Sequence, residues 1–319
     1  MRLPRSRAGL AVAALVATAA ATATMSPSQA TSTTSAAPVA TAASCQAPVP
    51  PADSSTNFGL SVKAAPTLAD NVKMLKSKFG SFKVARVFDP GIPPSNAWER
   101  RGAALANMQV VSSFRVPPRD VIAGKYDAQL RQFFSTVPAN VQLYWNYYHE
   151  PEPLIANGTF TAAQYRAAWQ RIAGIAGSLC RPNLYPTLIL TGWTADPASH
   201  RNWRDYYPGD AFVSVLAWDP YNQAVGVPTS YRAPQVVFDD VIAISQQTSK
   251  PWALAETGTA RMSSDAAGTG RAAWITAAGS YLKSHHALWV SWFQSTVKGD
   301  FELRDQPGIT AYAALVRTS

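Results

Sequence analysis

Residues 141–152 read VQLYWNYYHEPE, and this stretch decides the fold that we predict for the chain. It begins with a run of apolar and aromatic residues, which favours a buried strand, and it ends in polar residues. A helix is predicted after it, because Thr161 and Gln164 fit a capping box and apolar residues then recur at helical spacing. A strand followed by a helix is the unit of a parallel β/α fold.

The same unit recurs along the chain from Asn57 onward. Thr67 can cap a helix that ends at Gly80, and helices are also predicted over residues 236–245 and 272–283. The alternative, an open doubly wound sheet, usually has a glycine-rich turn after its first strand, and none is present. Eight units in about 265 residues match a (β/α)8 TIM barrel, which is the α/β fold that we predict. The eight predicted strands are residues 58–62, 84–88, 109–114, 141–147, 187–190, 212–217, 252–255 and 288–293.

The first 52 residues differ in composition from the predicted barrel. Residues 1–30 have the pattern of a signal peptide, with three arginines, an apolar stretch over 9–24 and small residues before Ala30. Residues 31–52 are rich in Ala, Thr, Ser and Pro, which is typical of a linker. We therefore expect a secreted, extracellular protein with a single domain over residues 53–319.

The overall composition excludes several classes of protein. Hydrophobic residues make up 47% of the chain and charged residues 15%, which excludes wholesale disorder. The formal net charge is +9, but the basic residues are scattered and form no stripe of the kind that binds nucleic acid. Cys45 and Cys180 are the two cysteines, and in an exported protein such a pair favours a disulfide over two free thiols.

Two glutamates stand where a (β/α)8 barrel has its functional residues, at the carboxyl ends of the strands. Strand 4 is followed by Glu150, and strand 7 ends at Glu256. Two carboxylates on roughly opposite walls of a barrel suit glycoside hydrolysis, in which one protonates the leaving oxygen and the other attacks the sugar. The alternative for each glutamate is a structural ion pair with Arg86 or Arg115. Glu152 is a second candidate for the acid/base.

On these residues the chain resembles glycoside hydrolase family 26. In the clan of that family the acid/base ends strand 4 and the nucleophile ends strand 7. The pair His149-Glu150 matches the family, which has His before the acid/base. The run 207–221, with its Tyr-Pro-Gly-Asp and Trp-Asp-Pro-Tyr segments, is similar to the strand-6 region of the family. The resemblance extends over residues 57–319.

The resemblance implies roles for particular residues. Glu150 would be the general acid/base and Glu256 the nucleophile, and Tyr221 would donate a hydrogen bond to that nucleophile. Trp292 would stack on the sugar at the cleavage site. The full set of substrate-binding residues that we expect is His149, Tyr221, Trp292, Trp193, Trp218, Asp219, Arg86 and Arg115.

The loop after the acid/base departs from the family, because Pro151-Glu152-Pro153 stands where family mannanases have Met-Asn-Gly. The resemblance implies a retaining hydrolase of a β-linked polysaccharide or oligosaccharide. The leading substrate is β-1,4-mannan, and β-1,3-1,4-glucan and xylan are alternatives. A non-catalytic carbohydrate-binding barrel is the hypothesis from another class. We expect a monomer that binds no nucleic acid, uses no cofactor or metal, and leaves the membrane once the signal peptide is cleaved.

Overall fold

Eight parallel strands form a closed barrel in which each strand pairs with its neighbours in the sequence and the last strand pairs with the first. The structure, a computed structural model, describes residues 45–52, 55–64 and 66–319. The barrel confirms the predicted (β/α)8 fold. The strands are β1 Asn57–Ser61, β2 Val84–Asp89, β3 Gln109–Phe114, β4 Gln142–Tyr147, β5 Leu184–Thr191, β6 Val215–Asp219, β7 Trp252–Thr257 and β8 Trp289–Trp292.

Helices follow the strands and cover the outside of the barrel. The predicted caps are confirmed: the Thr67 hydroxyl accepts a hydrogen bond from the Asp70 amide at 3.1 Å, and Thr161 with Gln164 forms a complete capping box. The helices are α1 Leu68–Phe79, α2 Ala97–Arg101, α3 Pro118–Ile122, α4 Asp127–Ser135, α5 Glu152–Ala156, α6 Ala162–Gly177, α7 Gly192–Ala195, α8 Pro234–Gln246, α9 Thr269–Ser284 and α10 Gln306–Arg317.

Two predicted strands begin three residues away from their observed first residues. The sixth strand begins at Val215 rather than at 212, because residues Asp210–Phe212 form a turn of 3-10 helix that leads into it. The fifth strand begins at Leu184 and includes Pro186, which is paired with Trp145 of β4. Proline has no amide hydrogen to donate within a sheet, so its place inside this strand is unusual.

The interior of the barrel changes from apolar to polar along the strands. Residues two positions apart on a strand point to the same face of the sheet, so the buried apolar cluster and the polar residues beyond it form successive layers. The apolar layer fills the amino-terminal end of the barrel, and the polar layer leads to the carboxyl end. The apolar layer includes Val84, Val111, Tyr144 and Trp289, and the residues two positions further along these strands are Arg86, Ser113, Asn146 and Ser291, all buried.

The segment before the barrel is fastened to it by a disulfide. Cys45 is bonded to Cys180, with the two Cα atoms 5.3 Å apart, which confirms the predicted pair. The Cys45 amide also donates a hydrogen bond to the Gly177 carbonyl at 3.1 Å, at the end of α6. The predicted signal peptide and the first part of the predicted linker lie outside the described residues. Within the described ranges, none of the helices has the length and apolar character needed to cross a bilayer.

Removing the disulfide is expected to destabilise the barrel. The bond closes a loop of 135 residues, so its loss raises the entropy of the unfolded chain. The variant Cys45→Ser/Cys180→Ser should lose about 2–4 kcal/mol of unfolding free energy in a urea titration. A reductant should shift the wild-type midpoint toward that of the variant and leave the variant unmoved. Two reactive thiols in the unfolded, unreduced wild type would contradict the bond.

Candidate active site

A cleft with a volume of about 770 Å³ opens at the carboxyl end of the barrel. Glu150 and Glu256 both line it, as predicted from their positions after β4 and at the end of β7. Asp219, at the end of β6, lines the same cleft. Three carboxyl groups from three different strands therefore face one space.

Glu256 is held by donors on both of its oxygens. The Tyr221 hydroxyl donates a hydrogen bond to Oε2 at 2.7 Å, which is the contact that the family resemblance implies. The Arg86 guanidinium lies 3.4 Å from Oε1 and is itself fully buried. Burial raises the pKa of Glu256, while the positive charge of Arg86 and the hydrogen bond from Tyr221 act in the opposite direction. These two contacts favour the ionised carboxylate.

The Arg86 side chain is oriented by residues on the neighbouring strands. Its Nη1 donates a hydrogen bond to the Ser113 hydroxyl at 2.7 Å, and that hydroxyl contacts Oδ1 of Asn146 at 3.2 Å. Asn146 in turn donates to the Thr187 carbonyl at 2.9 Å. A polar network thus runs around the barrel interior from β2 to β5 and fixes the guanidinium beneath Glu256.

Glu150 has a different environment. It is half-buried, and no donor among the described residues reaches its carboxylate. Burial raises the pKa of Glu150 to about 7, and the negative charges of Glu256 and Glu152 contribute to the increase. Its backbone has φ of 51°, and Tyr148 two residues earlier has φ of 54°. Left-handed conformations cost free energy in residues other than glycine and cluster at functional sites.

Asp219 is the third carboxyl group and is almost entirely buried. Neither of its oxygens has a hydrogen-bond partner among the described residues. Burial and the nearby charges of Glu256 and Glu150 hold its pKa well above the usual range. The protonated form of Asp219 is thereby favoured, and in that form it can donate a hydrogen bond to a ligand in the cleft.

His149 and Arg115 also line the cleft. Burial lowers the pKa of His149 well below its usual value, and the charges of Arg86 and Arg115 add to this effect, so the ring is neutral. Arg115 is exposed and forms no ion pair with a described residue. Of the two arginines that the sequence placed near the glutamates, Arg86 makes the contact with Glu256.

Glu152, the second candidate for the acid/base, does not line the cleft. Its side chain is fully buried, and Oε1 accepts hydrogen bonds from the Thr191 amide at 2.8 Å and the Thr194 hydroxyl at 2.7 Å. These bonds hold the turn of α7, which carries Trp193 into the cleft. Glu152 is therefore a positioning residue, and the structure leaves Glu150 as the acid/base candidate.

Two of the three predicted cleft tryptophans lie elsewhere. Trp292 is 2% exposed, packs against Trp274 and Tyr312 of the outer helices, and donates to the Phe301 carbonyl at 2.8 Å. Trp218 is fully buried and donates to the Ser245 hydroxyl of α8 at 2.9 Å. The expectation that they bind substrate is wrong, because both point outward from their strands toward the helices.

In each case the residue that follows the tryptophan in the sequence lines the cleft. Asp219 and Phe293 face inward where Trp218 and Trp292 face outward, as the two-residue period of a strand requires. Trp193 is 49% exposed and lines the cleft as predicted.

Sequence reasoning did not identify several aromatic residues of the cleft. Phe88 covers the Arg86 guanidinium at 4.1 Å and meets the His149 ring edge-on at 5.5 Å. Phe293 packs against Tyr221 with ring centroids 6.1 Å apart. Strand alternation counted from Arg86 would have indicated Phe88, which is two positions further on the same face. No group of three or more metal-ligating side chains occurs among the described residues.

Comparisons with known proteins agree with the predicted resemblance in fold. One similar structure is the GH26 domain of an endo-β-mannanase/endo-β-glucanase from Prevotella bryantii, with 14% identity, a TM-score of 0.56, and coverage of 83% of this chain and 89% of that chain. Another is the catalytic domain of a GH26 endo-β-1,4-mannanase from Bacillus sp. JAMB-750, with 11% identity, a TM-score of 0.57, and coverage of 82% and 86%.

A glucosidase from Croceicoccus marinus is similar as well, with 12% identity, a TM-score of 0.60, and coverage of 86% of this chain and 69% of that chain. No protein-family model and no curated protein matches the chain. At these identities the structural likeness establishes the (β/α)8 fold that the chain shares with GH26 mannanase domains.

The contrasting positions of two tryptophans lead to a prediction about stability. Trp292→Ala should lower the free energy of unfolding by about 3–5 kcal/mol, because it leaves a cavity between β8 and the outer helices. Trp193→Ala is the matched control and should change it by no more than about 0.5 kcal/mol, since its side chain is half-exposed. Urea denaturation of the two variants measures both values. Equal destabilisation by the two substitutions would contradict these placements.

Proposed function

We propose that the protein is a secreted retaining glycoside hydrolase of family 26 that cleaves a β-linked polysaccharide. The observation that carries this proposal is the unequal support of two glutamates in one cleft. Glu256 accepts hydrogen bonds from Tyr221 and Arg86, while Glu150 accepts none from the described residues and has a pKa of about 7. One carboxyl group suited to ionisation and one suited to protonation are what double displacement needs.

The reaction would proceed in two steps. Glu150 protonates the glycosidic oxygen while Glu256 attacks the anomeric carbon, which forms a glycosyl-enzyme and releases the leaving sugar. The negative charge on Glu256 then disappears, so the pKa of Glu150 falls and its carboxylate can take a proton from water. That water attacks the anomeric carbon and regenerates Glu256. The product keeps the anomeric configuration of the substrate.

Two further parts of the proposal are substrate class and location. The GH26 mannanase domains among the similar structures support β-1,4-mannan as the leading substrate, with β-1,3-1,4-glucan and xylan as alternatives. The exposed ring of Trp193 in the cleft offers an apolar face for a sugar. The signal-peptide pattern and the Cys45–Cys180 disulfide support export to an oxidising compartment.

Substitution of each glutamate tests the mechanism. Glu256→Ala should abolish release of reducing sugar from mannan, glucan and xylan alike, because no nucleophile remains. Glu150→Ala should lose activity on polysaccharides but retain the first step on aryl glycosides with good leaving groups, which need no protonation. Addition of azide should partly rescue Glu150→Ala by replacing the base-activated water. Glu99→Gln, which changes an exposed carboxylate outside the cleft, is the control.

Product stereochemistry and binding separate the alternatives. Proton NMR during hydrolysis should show the β-anomer first, and retention requires the two carboxyl groups to lie about 5–5.5 Å apart. Initial formation of the α-anomer would exclude double displacement. Tight binding of a polysaccharide without any cleavage by the wild type would instead support a non-catalytic carbohydrate-binding barrel.

The raised pKa of Glu150 predicts the alkaline limb of the pH profile. A general acid must be protonated, so kcat/KM should fall tenfold per pH unit above about 7. The positive charge of Lys298 lowers the pKa of Glu150, so Lys298→Met should move this limb to higher pH. Lys125→Met, remote from the cleft, should leave the profile unchanged. A limb that moves to lower pH in Lys298→Met would contradict the assignment.

A further inference from the structure

A second cavity adjoins the active-site cleft at the carboxyl ends of β1, β2 and β8. It has a volume of about 810 Å³, and we call it the side lobe. Phe88, Phe293 and Val297 line both the side lobe and the cleft that holds the glutamates. A chain of sugars bound across Glu150 and Glu256 can therefore continue past this wall into the side lobe.

The charged side chains of the side lobe are three cations, Lys63, Arg100 and Arg101, and one carboxylate, Asp89. Asp89 is already paired, because both Nη atoms of Arg101 donate to its Oδ2 at 3.1 and 3.2 Å. The pair is mostly buried and fixed by the cation-π contact of Arg101 with Trp98. Asp89 therefore offers no negative charge to a ligand.

The other two cations, Arg100 and Lys63, differ in their ion pairing. Arg100 is exposed and forms no ion pair with a described residue. It directly precedes Arg101, which is the partner of Asp89. Lys63 contacts Glu302 at 3.6 Å, but its side chain is half-exposed, and such a pair contributes little. Arg100 is thus the one cation of the side lobe that has no carboxylate partner among the described residues.

The cleft beside the glutamates has no such unpaired excess of positive charge, and its nucleophile candidate is a carboxylate. Five carboxyl groups and three cations line this cleft. One of the cations, Arg232, donates a hydrogen bond to the Tyr221 carbonyl. The carboxyl groups are those of Glu150, Glu256, Asp219, Asp196 and Asp240. An anionic sugar at the site of cleavage would lie against these carboxyl groups. A sugar with an anionic group is therefore favoured in the side lobe and disfavoured beside Glu256.

The walls of the side lobe also suit a sugar. The rings of Phe88 and Phe293 and the side chain of Leu68 supply apolar surface for the face of a pyranose. Guanidinium groups bind carboxylates through two parallel hydrogen bonds, which gives Arg100 a geometric preference for such a group.

We propose that the side lobe binds a sugar residue that bears an anionic group, so that the substrate is an acidic β-linked polysaccharide whose charged residue lies beyond the cleaved bond on the β1–β2–β8 side. This inference rests on the proposed function and narrows its substrate class. A carboxylate and a sulfate ester share the required charge.

The test compares polymers with one backbone and different charge. The substrates are β-1,4-mannan, the same mannan partly oxidised at C6 to carboxylates, and the same mannan partly sulfated. The wild type should have a higher kcat/KM on an anionic form than on neutral mannan at low salt, and the ratio should fall as salt is added. A larger preference for the oxidised polymer identifies a carboxylate, and one for the sulfated polymer a sulfate ester.

Variants of Arg100 locate the effect. Arg100→Gln should lower the ratio of kcat/KM on the anionic polymer to that on neutral mannan by roughly tenfold, and Arg100→Glu by more. Arg119→Gln removes an exposed arginine that lines neither cavity and should leave the ratio unchanged. Equal rates of the wild type on all three polymers, or a ratio that Arg100→Glu does not lower, would overturn the proposal.

Binding separates failure of this inference from failure of the proposed function. Affinity electrophoresis of the wild type and Arg100→Glu in gels that contain each polymer needs no turnover. If the anionic polymer retards the wild type but not Arg100→Glu, the side lobe binds the anionic sugar. If in addition no polymer is cleaved, only the hydrolase proposal fails. Cleavage of neutral mannan with equal retardation in all gels leaves the hydrolase and overturns the acidic substrate.

Discussion

The positive charge of Arg86 is buried inside the barrel, and the polar residues at the carboxyl end of the barrel are arranged around it. The guanidinium lies inside the barrel without exposure to solvent, where an unpaired charge would cost several kcal/mol. Glu256 supplies the opposite charge, and Ser113 accepts a hydrogen bond from the same side chain. The Arg86 side chain thereby links β2 to β3 and β7. Removing either Arg86 or Glu256 would leave the other charge buried and unpaired.

The same arrangement makes Glu150, Asp219 and Glu256, the three carboxyl groups at the ends of β4, β6 and β7, chemically unequal. Each is shielded from water, which raises its pKa, but only Glu256 has a cation and a phenol within hydrogen-bond reach. Glu150 and Asp219 experience the negative charge of Glu256 without such support. The contacts of Glu256 therefore favour its ionised form, whereas burial and the charge of Glu256 favour the protonated forms of Glu150 and Asp219.

The sequence contained enough information for the barrel and for the two glutamates, because both depend on local regularities. Eight apolar runs separated by helical segments are visible without knowledge of contacts, and the fold rule then places Glu150 and Glu256 at one end of the barrel. The orientation of individual side chains was harder to predict. Trp292 and Phe293 are adjacent aromatic residues, and composition does not distinguish which of them faces inward.

Contacts between distant loops were not predictable either. Glu152 lies two residues after Glu150, and nothing in the local sequence indicates that its side chain turns away from the cleft to meet Thr191 and Thr194, about 40 residues later. A buried carboxylate of this kind is defined by its partners, and these become neighbours only when β4 and β5 are paired. Its acidic character therefore made it look like a catalytic candidate.

The loops after β4, β5 and β6 behave as one packed unit because of two close contacts. Glu152, after β4, holds the turn of α7, which directly follows β5. In that turn Gly192 approaches Pro220 so closely that a Cβ atom would lie 2.7 Å from the Pro220 Cα, so only glycine fits. Pro220 stands between Asp219 and Tyr221 at the end of β6. One set of contacts therefore connects the segments that carry the acid/base candidate, the exposed ring of Trp193 and the hydrogen-bond donor to Glu256.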